Sequence, residues 1–561
     1  MNAKKVREYA KANIRIRFVI VFISVLALSL NLLEPILLST FVDYLSNGII
    51  VVKALIVYLC VFFLRMGVMF AKQYIVTKHK CSQISNVSLA LYTKILKTKL
   101  EYIEKENQSY FVSRIFDEVN DIEYILDTAL IANTINVIQL IVFFVLLLKL
   151  NFLISLVTII LIALDYYIAF KVPLKDVFNQ YNNSSIKCKE QISNSLMGIR
   201  QVKLSGDINK ESNALSKLLA QYNNDKVFKR YSVLKTSLIG GFSRQTGFVA
   251  TILIGSYSIA QGSLSFGSLV LMISIYNSIW SQVTAVENII PLTKLAHITC
   301  ERIMNIMNLP EEKSISFFSN EPIANLAVEH VCFNFGNKAI LDDVSIQAKV
   351  GQIIAITGES GCGKTTLLNI LVGFYEANNF DLFINGRKMT VNTLLSLRDK
   401  VGYVSQNGFL FNRSIRENLL YYGENEDDVI TKMEELLDRF QLNELIESLP
   451  GGLDYIITES SNNISGGEKQ RLCIVRELLK KPEIFLLDEI TSNLDNYNEE
   501  LIYQALQTLK DEIVIIQVAH KKEAILNSQY IYVLRDGKVE SQGDFNQLAA
   551  SSEYFRKVYG N

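Results

Sequence analysis

The stretch Gly358-Glu-Ser-Gly-Cys-Gly-Lys-Thr-Thr366 constrains this chain more than any other. It fits G-x-x-x-x-G-K-[ST], the pattern of a loop that wraps phosphate. Gln352–Thr357 before it is an apolar run of strand type, and Leu367–Val372 after it suits a helix. Strand, glycine loop and helix in that order is the setting the pattern requires, and a chance glycine-rich turn would not need it. Glycines let successive backbone N–H groups turn onto one anion without a Cβ in the way. The helix start adds the positive end of its dipole. The loop residues Gly358, Glu359, Ser360, Gly361, Cys362, Gly363, Lys364, Thr365 and Thr366 are therefore expected to bind a nucleotide. Lys364 would reach the terminal phosphates and the Thr365 hydroxyl would hold Mg²⁺. The same helix start should favour a thiolate at Cys362, although a small spacer there needs no redox role.

Two further stretches bear on phosphate chemistry. Ile484-Phe-Leu-Leu-Asp-Glu489 reads as a buried strand ending in two acids. With the phosphate loop upstream, Asp488 is expected to help hold Mg²⁺ and Glu489 to polarise the attacking water; the plainer alternative is two acids capping the next helix. Ile464-Ser-Gly-Gly-Glu-Lys-Gln-Arg471 offers a hydroxyl and bare amides at a second helix start, another anion-binding end. One nucleotide does not need two such ends in one domain. The resolution is that the second end serves the nucleotide of another copy of the chain.

The 561 residues exceed one compact core. Half of them are hydrophobic and the formal net charge is zero, too apolar for an ordinary soluble enzyme and with no basic surplus to suggest nucleic acid. Six apolar segments are long enough to cross a bilayer: about 18–45, then Ile50–Ile75, Ala129–Leu148, Phe152–Val172, Ser237–Ile259 and Phe266–Ile290. Residues 1–17 carry six basic side chains, and the polar, Lys-rich stretches 77–128 and 173–236 lie on the same side. That asymmetry predicts a cytoplasmic N-terminus. The spans hold Glu34, Arg65, Asp165, Arg244 and Glu287, which either line a pathway or hold the bundle together. Trp280, the only tryptophan, is expected to pack. The scattered seven cysteines suggest neither a disulfide framework nor a zinc site. A membrane domain over 1–308, a linker over 309–325 and a nucleotide domain over 326–561 follow. The last should be an α/β fold with a largely parallel sheet preceded by an antiparallel sub-sheet.

Taken in order, these motifs resemble the ABC transporters of exporter type, over essentially the whole chain. Gly358–Thr366 is similar to the Walker A motif, Ile484–Glu489 to the Walker B, and Ile464–Glu468 to the signature usually written Leu-Ser-Gly-Gly-Gln. Gln406 resembles the Q-loop glutamine, Ser492–Asp495 the D-loop, and His520 the switch histidine. Phe335 falls where the family has a Tyr stacked on adenine; it keeps the ring and loses the phenol. The departures Ile464 and Glu468 leave Ser465, Gly466 and Gly467 intact, while Ser461 replaces a usual glycine after Glu459. The resemblance implies an all-α six-helix transmembrane domain fused to an α/β P-loop NTPase. It implies ATP and Mg²⁺, with Glu489, His520 and Gln406 catalytic and Thr365, Gln406 and Asp488 at the metal. It further implies that Ser465, Gly466, Gly467 and Glu468 act in trans across a dimer. Ser113–Asp117 and Leu204–Asp207 resemble the coupling segments.

The expected function is ATP-driven export from the cytoplasm by alternating access, in an inner (cell) membrane. The partners would be a second copy of the chain, the bilayer and the substrate, and no nucleic acid. An ATP-regulated channel or signalling protein, and one half of a heterodimeric exporter, are the alternatives. The chain opens on basic residues and the first span, so no N-terminal peptidase domain is expected. Peptide, lipid-linked and drug-like substrates all stay open.

Overall fold

The computed structural model describes residues 2–560, apart from 12, 172–173, 206, 313–320, 337, 390–396, 424–426, 459–462 and 493. Glu459, Ser461, Asn493 and much of the expected linker lie outside the described residues. The chain divides into two units: Met1–Leu96 with Glu106–Leu309, and Lys97–Lys105 with Pro310–Asn561.

The first unit is helical. Over the expected spans its helices are α1 (Ile14–Ser46), α2 (Val52–Lys97), α3 (Asp127–Leu150), α4 (Phe152–Lys171), α5 (Ile208–Ala260) and α6 (Phe266–Met307), and the polar Leu174–Met197 is a further long helix. At a rise of 1.5 Å per residue, the 53 residues of α5 reach about 80 Å. That is well beyond a hydrocarbon layer of about 30 Å, so residues 77–97 and 208–236 of the expected polar loops are continuations of α2 and α5. Four stretches are long and apolar enough to cross a membrane among the described residues: Ile14–Ser46, Val52–Lys97, Asn133–Leu150 and Phe266–Glu287. Phe152–Tyr167 is a shorter apolar helix stretch. The remaining expected span, on α5, is diluted by Ser243, Arg244 and Gln245. Large apolar side chains such as Phe22 and Phe70 stand more than two-thirds exposed, the inverse of a water-soluble bundle and the pattern of a face turned to lipid.

Local chemistry closes the short turns. Asn151 alone separates α3 from α4, and its Oδ1 accepts from the Ile154 N–H at 3.1 Å. Asp43 of α1 accepts from the Gly267 N–H at 2.7 Å and the Ser265 hydroxyl at 3.0 Å, capping the start of α6 from a distant helix. Trp280 and Tyr276 are fully buried with Phe143, Leu147 and Met272 in one core, so the tryptophan packs.

Among the described residues the second unit carries ten strands: β1 (Asn325–Phe335), β2 (Lys338–Lys349), β3 (Ile353–Gly358), β4 (Asn379–Ile384), β5 (Arg387–Met389), β6 (Val401–Val404), β7 (Ile484–Asp488), β8 (Val514–Val518), β9 (Tyr530–Arg535) and β10 (Lys538–Gly543). They form an antiparallel sheet β2-β1-β4-β5 and a second sheet β10-β9-β3-β8-β7-β6. In the second, β3, β6, β7, β8 and β9 run parallel and only β10 is antiparallel. Strands β3, β7 and β8 are buried along their whole length, the continuous apolar type that a covered parallel sheet demands. Adjacent parallel strands end at one edge. The residues after β3, β6, β7 and β8 therefore meet there, where open α/β sheets bind ligands.

Lys97–Lys105, which leaves and re-enters the helical unit, belongs to the nucleotide unit, whereas Ser113–Asp117 and the described part of Leu204–Asp207 do not. The reason is specific bonding within that unit. Tyr375 Oη donates to Glu104 Oε2 at 2.6 Å, and Lys99 pairs with Glu376 at 2.6 Å. The Lys99 and Glu312 N–H groups donate to the Pro310 and Lys97 carbonyls at 3.2 and 2.9 Å.

Candidate nucleotide-binding and catalytic site

The loop after β3 turns through left-handed backbone at Gly361 (φ 83°) and Gly363 (φ 103°) before α7 (Lys364–Val372). A Cβ at Gly363 would lie 2.6 Å from Leu341 Cδ2 of β2, so glycine is required by space as well as by φ. No side chain caps the first turn of α7, which leaves its amides for an external anion. Glu359, Ser360 and Gly361 form the exposed tip, and Thr365 and Thr366 sit on the first turn.

Lys364 is 5% exposed. Its Nζ donates to the carbonyls of Gly358 at 3.0 Å and Glu359 at 2.8 Å, and no carboxylate pairs with it among the described residues. A buried ammonium without a counter-charge is costly; a polyphosphate held by the loop supplies that charge. Cys362 does not become the expected thiolate. It is buried, and desolvation pushes its thiol up from the ordinary range, outweighing Lys364 nearby.

At the end of β7, Asp488 Oδ1 accepts from the Thr365 hydroxyl at 3.2 Å. Burial raises the Asp488 carboxyl above its usual range, and the Thr365 hydrogen bond works against the rise. Glu489 follows with φ 48°, left-handed backbone that a side chain rarely adopts. Its N–H is held by the Val518 carbonyl at 3.1 Å. Glu489 Oε1 lies 2.9 Å from His520 Nε2, and Glu489 Oε2 accepts from Gln406 Nε2 at 2.7 Å. One carboxylate is thus gripped from both sides. His520 is held below its ordinary range, first by burial and then by Lys364, which favours the neutral imidazole.

Thr365, Asp488 and Gln406 supply hard oxygen donors and few charges. Mg²⁺ takes such a set when phosphates and water complete its shell, so the residues fit that ion. Phe335, at the end of β1, is about half exposed and offers a free face to a base.

Ser465, Gly466, Gly467 and Glu468 stand apart from this cluster: no hydrogen bond or ion pair joins them to the phosphate loop among the described residues. They open α8 (Gly466–Leu479). Ser465 Oγ accepts from the Glu468 N–H at 3.3 Å, and Glu468 Oε2 accepts from the Ser465 N–H at 2.7 Å. This is a reciprocal capping box, a role that Glu468 and the usual Gln can both fill. Ser465 and Gly466 are exposed.

Sequence reading missed Gln470. On α8 its amide accepts from the Gly408 N–H and donates to the Ser405 carbonyl, both at 3.2 Å. It ties the loop that carries Gln406 to the helix begun by Ser465. It stands in the polar run Glu468-Lys-Gln-Arg471 at the start of α8, where nothing in the sequence marks it out from its neighbours. Asp495 of the expected D-loop caps α9 (Asn496–Leu509) through the Asn498 N–H at 2.9 Å.

Comparison with known proteins agrees with this geometry. Residues 18–283 match the ABC transporter transmembrane region and residues 341–492 match the ABC transporter family. The chain is 27% identical over 84% of its length, and 82% of the relative's, to an uncharacterized ABC transporter ATP-binding protein of Bacillus subtilis. It is 24% identical to an ATP-dependent lipid A-core flippase of Ralstonia nicotianae, covering 82% of this chain and 79% of that one. A solved bacterial Atm1-family ABC exporter with ATP bound shares the fold at a TM-score of 0.85, with 21% identity and 98% of each chain covered. The chain belongs to the ABC transporters, as a membrane-bound exporter-type half-transporter that couples ATP hydrolysis to transport.

Proposed function

We propose that two copies of this chain form an exporter that moves an amphiphilic or peptide substrate out of the cytoplasm. Each site would hold ATP between the phosphate loop of one copy and Ser465–Glu468 of the other. The observation that carries this reading is the exposed, self-capped start of α8, which among the described residues bonds to no residue of the phosphate loop and keeps the Gly466 and Gly467 amides without a side-chain cap. The basic residues of 1–17 and the nucleotide unit would lie on the cytoplasmic side of the inner membrane, in keeping with the charge bias.

Chemically, Lys364 and the α7 amides bind and orient the phosphates. Phe335 stacks the base. Thr365, Asp488 and Gln406 would hold Mg²⁺, which neutralises phosphate charge when bound. Glu489 takes the proton of the attacking water. His520 and Gln406 keep its carboxylate aimed, and the carboxylate must release one of these partners to accept that proton. Closure of the two copies on ATP would turn the cavity outward, and hydrolysis would reset it.

Transport into inverted membrane vesicles tests the reading. Vanadate-sensitive uptake against a gradient is expected. Only downhill, ATP-gated flux would replace the pump with a channel.

A further inference from the structure

The helical unit contains two cavities that share one residue, Pro35 of α1. One, of about 310 Å³, is polar, with Glu34 and Arg65 set among Asn31, Gln139, Asn277, Gln282 and three serines of α6. The other, of about 250 Å³, is walled by Leu32, Phe143, Leu146 and Ile275 with only Lys149 charged. Four different helices meet at the polar cavity, and its charges are of both signs.

The charges are paired yet incompletely satisfied. Arg65 Nε lies 2.6 Å from Glu34 Oε2, but off the hydrogen-bond line, so this buried Nε–H has no aligned acceptor. Arg65 Nη1 reaches Asn31 Oδ1 only at 3.5 Å, the outer limit of such a bond. A guanidinium offers five donors in a planar fork. Pro35 has no N–H to give the carbonyl of Asn31 four residues earlier, so the helix ladder leaves that acceptor without its usual partner at the cavity wall. A group that only glued helices together would be expected to close these bonds on itself.

We propose that the two cavities together bind a zwitterion joined to an apolar group: a short peptide with free termini and a large aliphatic side chain. This rests on the export reading and names its substrate class. The peptide carboxylate completes the Arg65 fork, the ammonium takes Glu34, and the carboxamides match peptide N–H and C=O groups, which both donate and accept. The aliphatic side chain fills the Leu32–Phe143 cavity. A bare anion gains Arg65 and meets Glu34; a bare cation meets the reverse. The opposed pair therefore selects for both ends at once.

The test uses the full chain in proteoliposomes, with ATPase read as fold-stimulation over each protein's own basal rate. Leucyl-leucine should act at a concentration on the order of ten-fold lower than its N-acetyl, C-amide form, the worth of one charge-assisted bond, and lower than alanyl-alanine. Arg65→Gln should abolish the preference for a free carboxylate and keep that for a free amine; Glu34→Gln should do the opposite. A merely structural pair would not respond to the peptide's ends. If either variant fails to fold, the wild-type series over blocked and free peptides decides alone. Equal response to free and blocked peptide overturns the proposal. So does a zwitterionic lysophospholipid that stimulates where the peptides do not. A protein without ATPase activity would sink the export reading, and this assignment with it; an active ATPase indifferent to end groups would sink only the peptide site.

Discussion

The nucleotide unit contains two glycine-bearing helix starts that are built in opposite ways. At α7 the residue before the helix is Gly363 in left-handed backbone, and no side chain caps the turn. At α8 it is Ser465 in extended backbone, locked to Glu468 by two reciprocal hydrogen bonds. Both present dipole and amides to an anion. The bare start can give all its donors to phosphate, and its own strand and Lys364 complete the cradle. The capped start spends two of its hydrogen bonds on holding its shape and leaves the Gly466 and Gly467 amides. A helix end that must wait for a ligand carried by another chain needs internal support; one that builds the cradle itself does not.

The largest expected effect is on the chemistry at the bare start. Glu489→Gln keeps both hydrogen-bond partners in reach and removes the base. Turnover should fall by about 10²–10⁴-fold, with ATP-bound dimers accumulating on size exclusion. Turnover at the wild-type rate would move the base elsewhere.

Lys364→Ala comes next. It deletes the buried charge that the phosphates would meet, and a loss of about 10²-fold or more in turnover is expected. Ser465→Ala should cost about 1 kcal/mol of stability from the lost cap and weaken turnover on the order of ten-fold. Mixing these two variants breaks or sharpens the comparison directly. In a dimer of one Lys364→Ala chain and one Ser465→Ala chain, trans sites put both defects together and leave the other site whole. About half the wild-type turnover should remain. If each chain completed its own site, both sites would be damaged and almost nothing would remain.

The pH profile reports on the gripped carboxylate. His520 is held below the ordinary histidine range, chiefly by burial. Lowering pH therefore protonates it only below about 6.5, so the acid limb of turnover attributable to His520 should lie under that value. An acid limb near neutrality that disappears in His520→Gln would contradict the assignment.

How much of this was legible beforehand follows from what kind of interaction each feature needs. The phosphate loop, Asp488–Glu489 and Ser465–Glu468 are local patterns, and strand-then-loop spacing suffices to find them. The helices over the six spans were legible from apolar runs, and the helical pattern of Val87–Lys97 marks the continuation of α2 beyond its span, but not that Leu174–Met197 stands as a separate helix between α4 and α5. Nor could spacing show that Lys97–Lys105 leaves the helical unit, because that depends on Glu104 meeting Tyr375 across 271 positions of sequence. At Cys362 the helix dipole is a local property, whereas the burial that overrides it comes from the whole fold and agrees with a small spacer there. The bonds of Gln470 likewise exist only once the loop of Gln406 has been folded against α8.

The smallest effect bears most closely on why the two starts differ. Glu468 replaces the glutamine usual in this motif, and its carboxylate accepts from the Ser465 N–H while its own N–H gives to Ser465 Oγ. Glutamine's carbonyl oxygen can make the same bond, so Glu468→Gln should shift stability by only a few tenths of a kcal/mol. The change also removes a negative charge from a helix start proposed to meet a phosphate, so apparent ATP affinity should rise slightly while stability holds. Glu468→Ala breaks the box and should cost about 0.5–1 kcal/mol, with affinity changing in the same favourable direction for charge. Melting temperature and nucleotide titration on the three proteins separate the two contributions. If Glu468→Gln destabilised as much as Glu468→Ala, the carboxylate's charge on the helix dipole, and not the capping box, would be the stabilising element at this helix start.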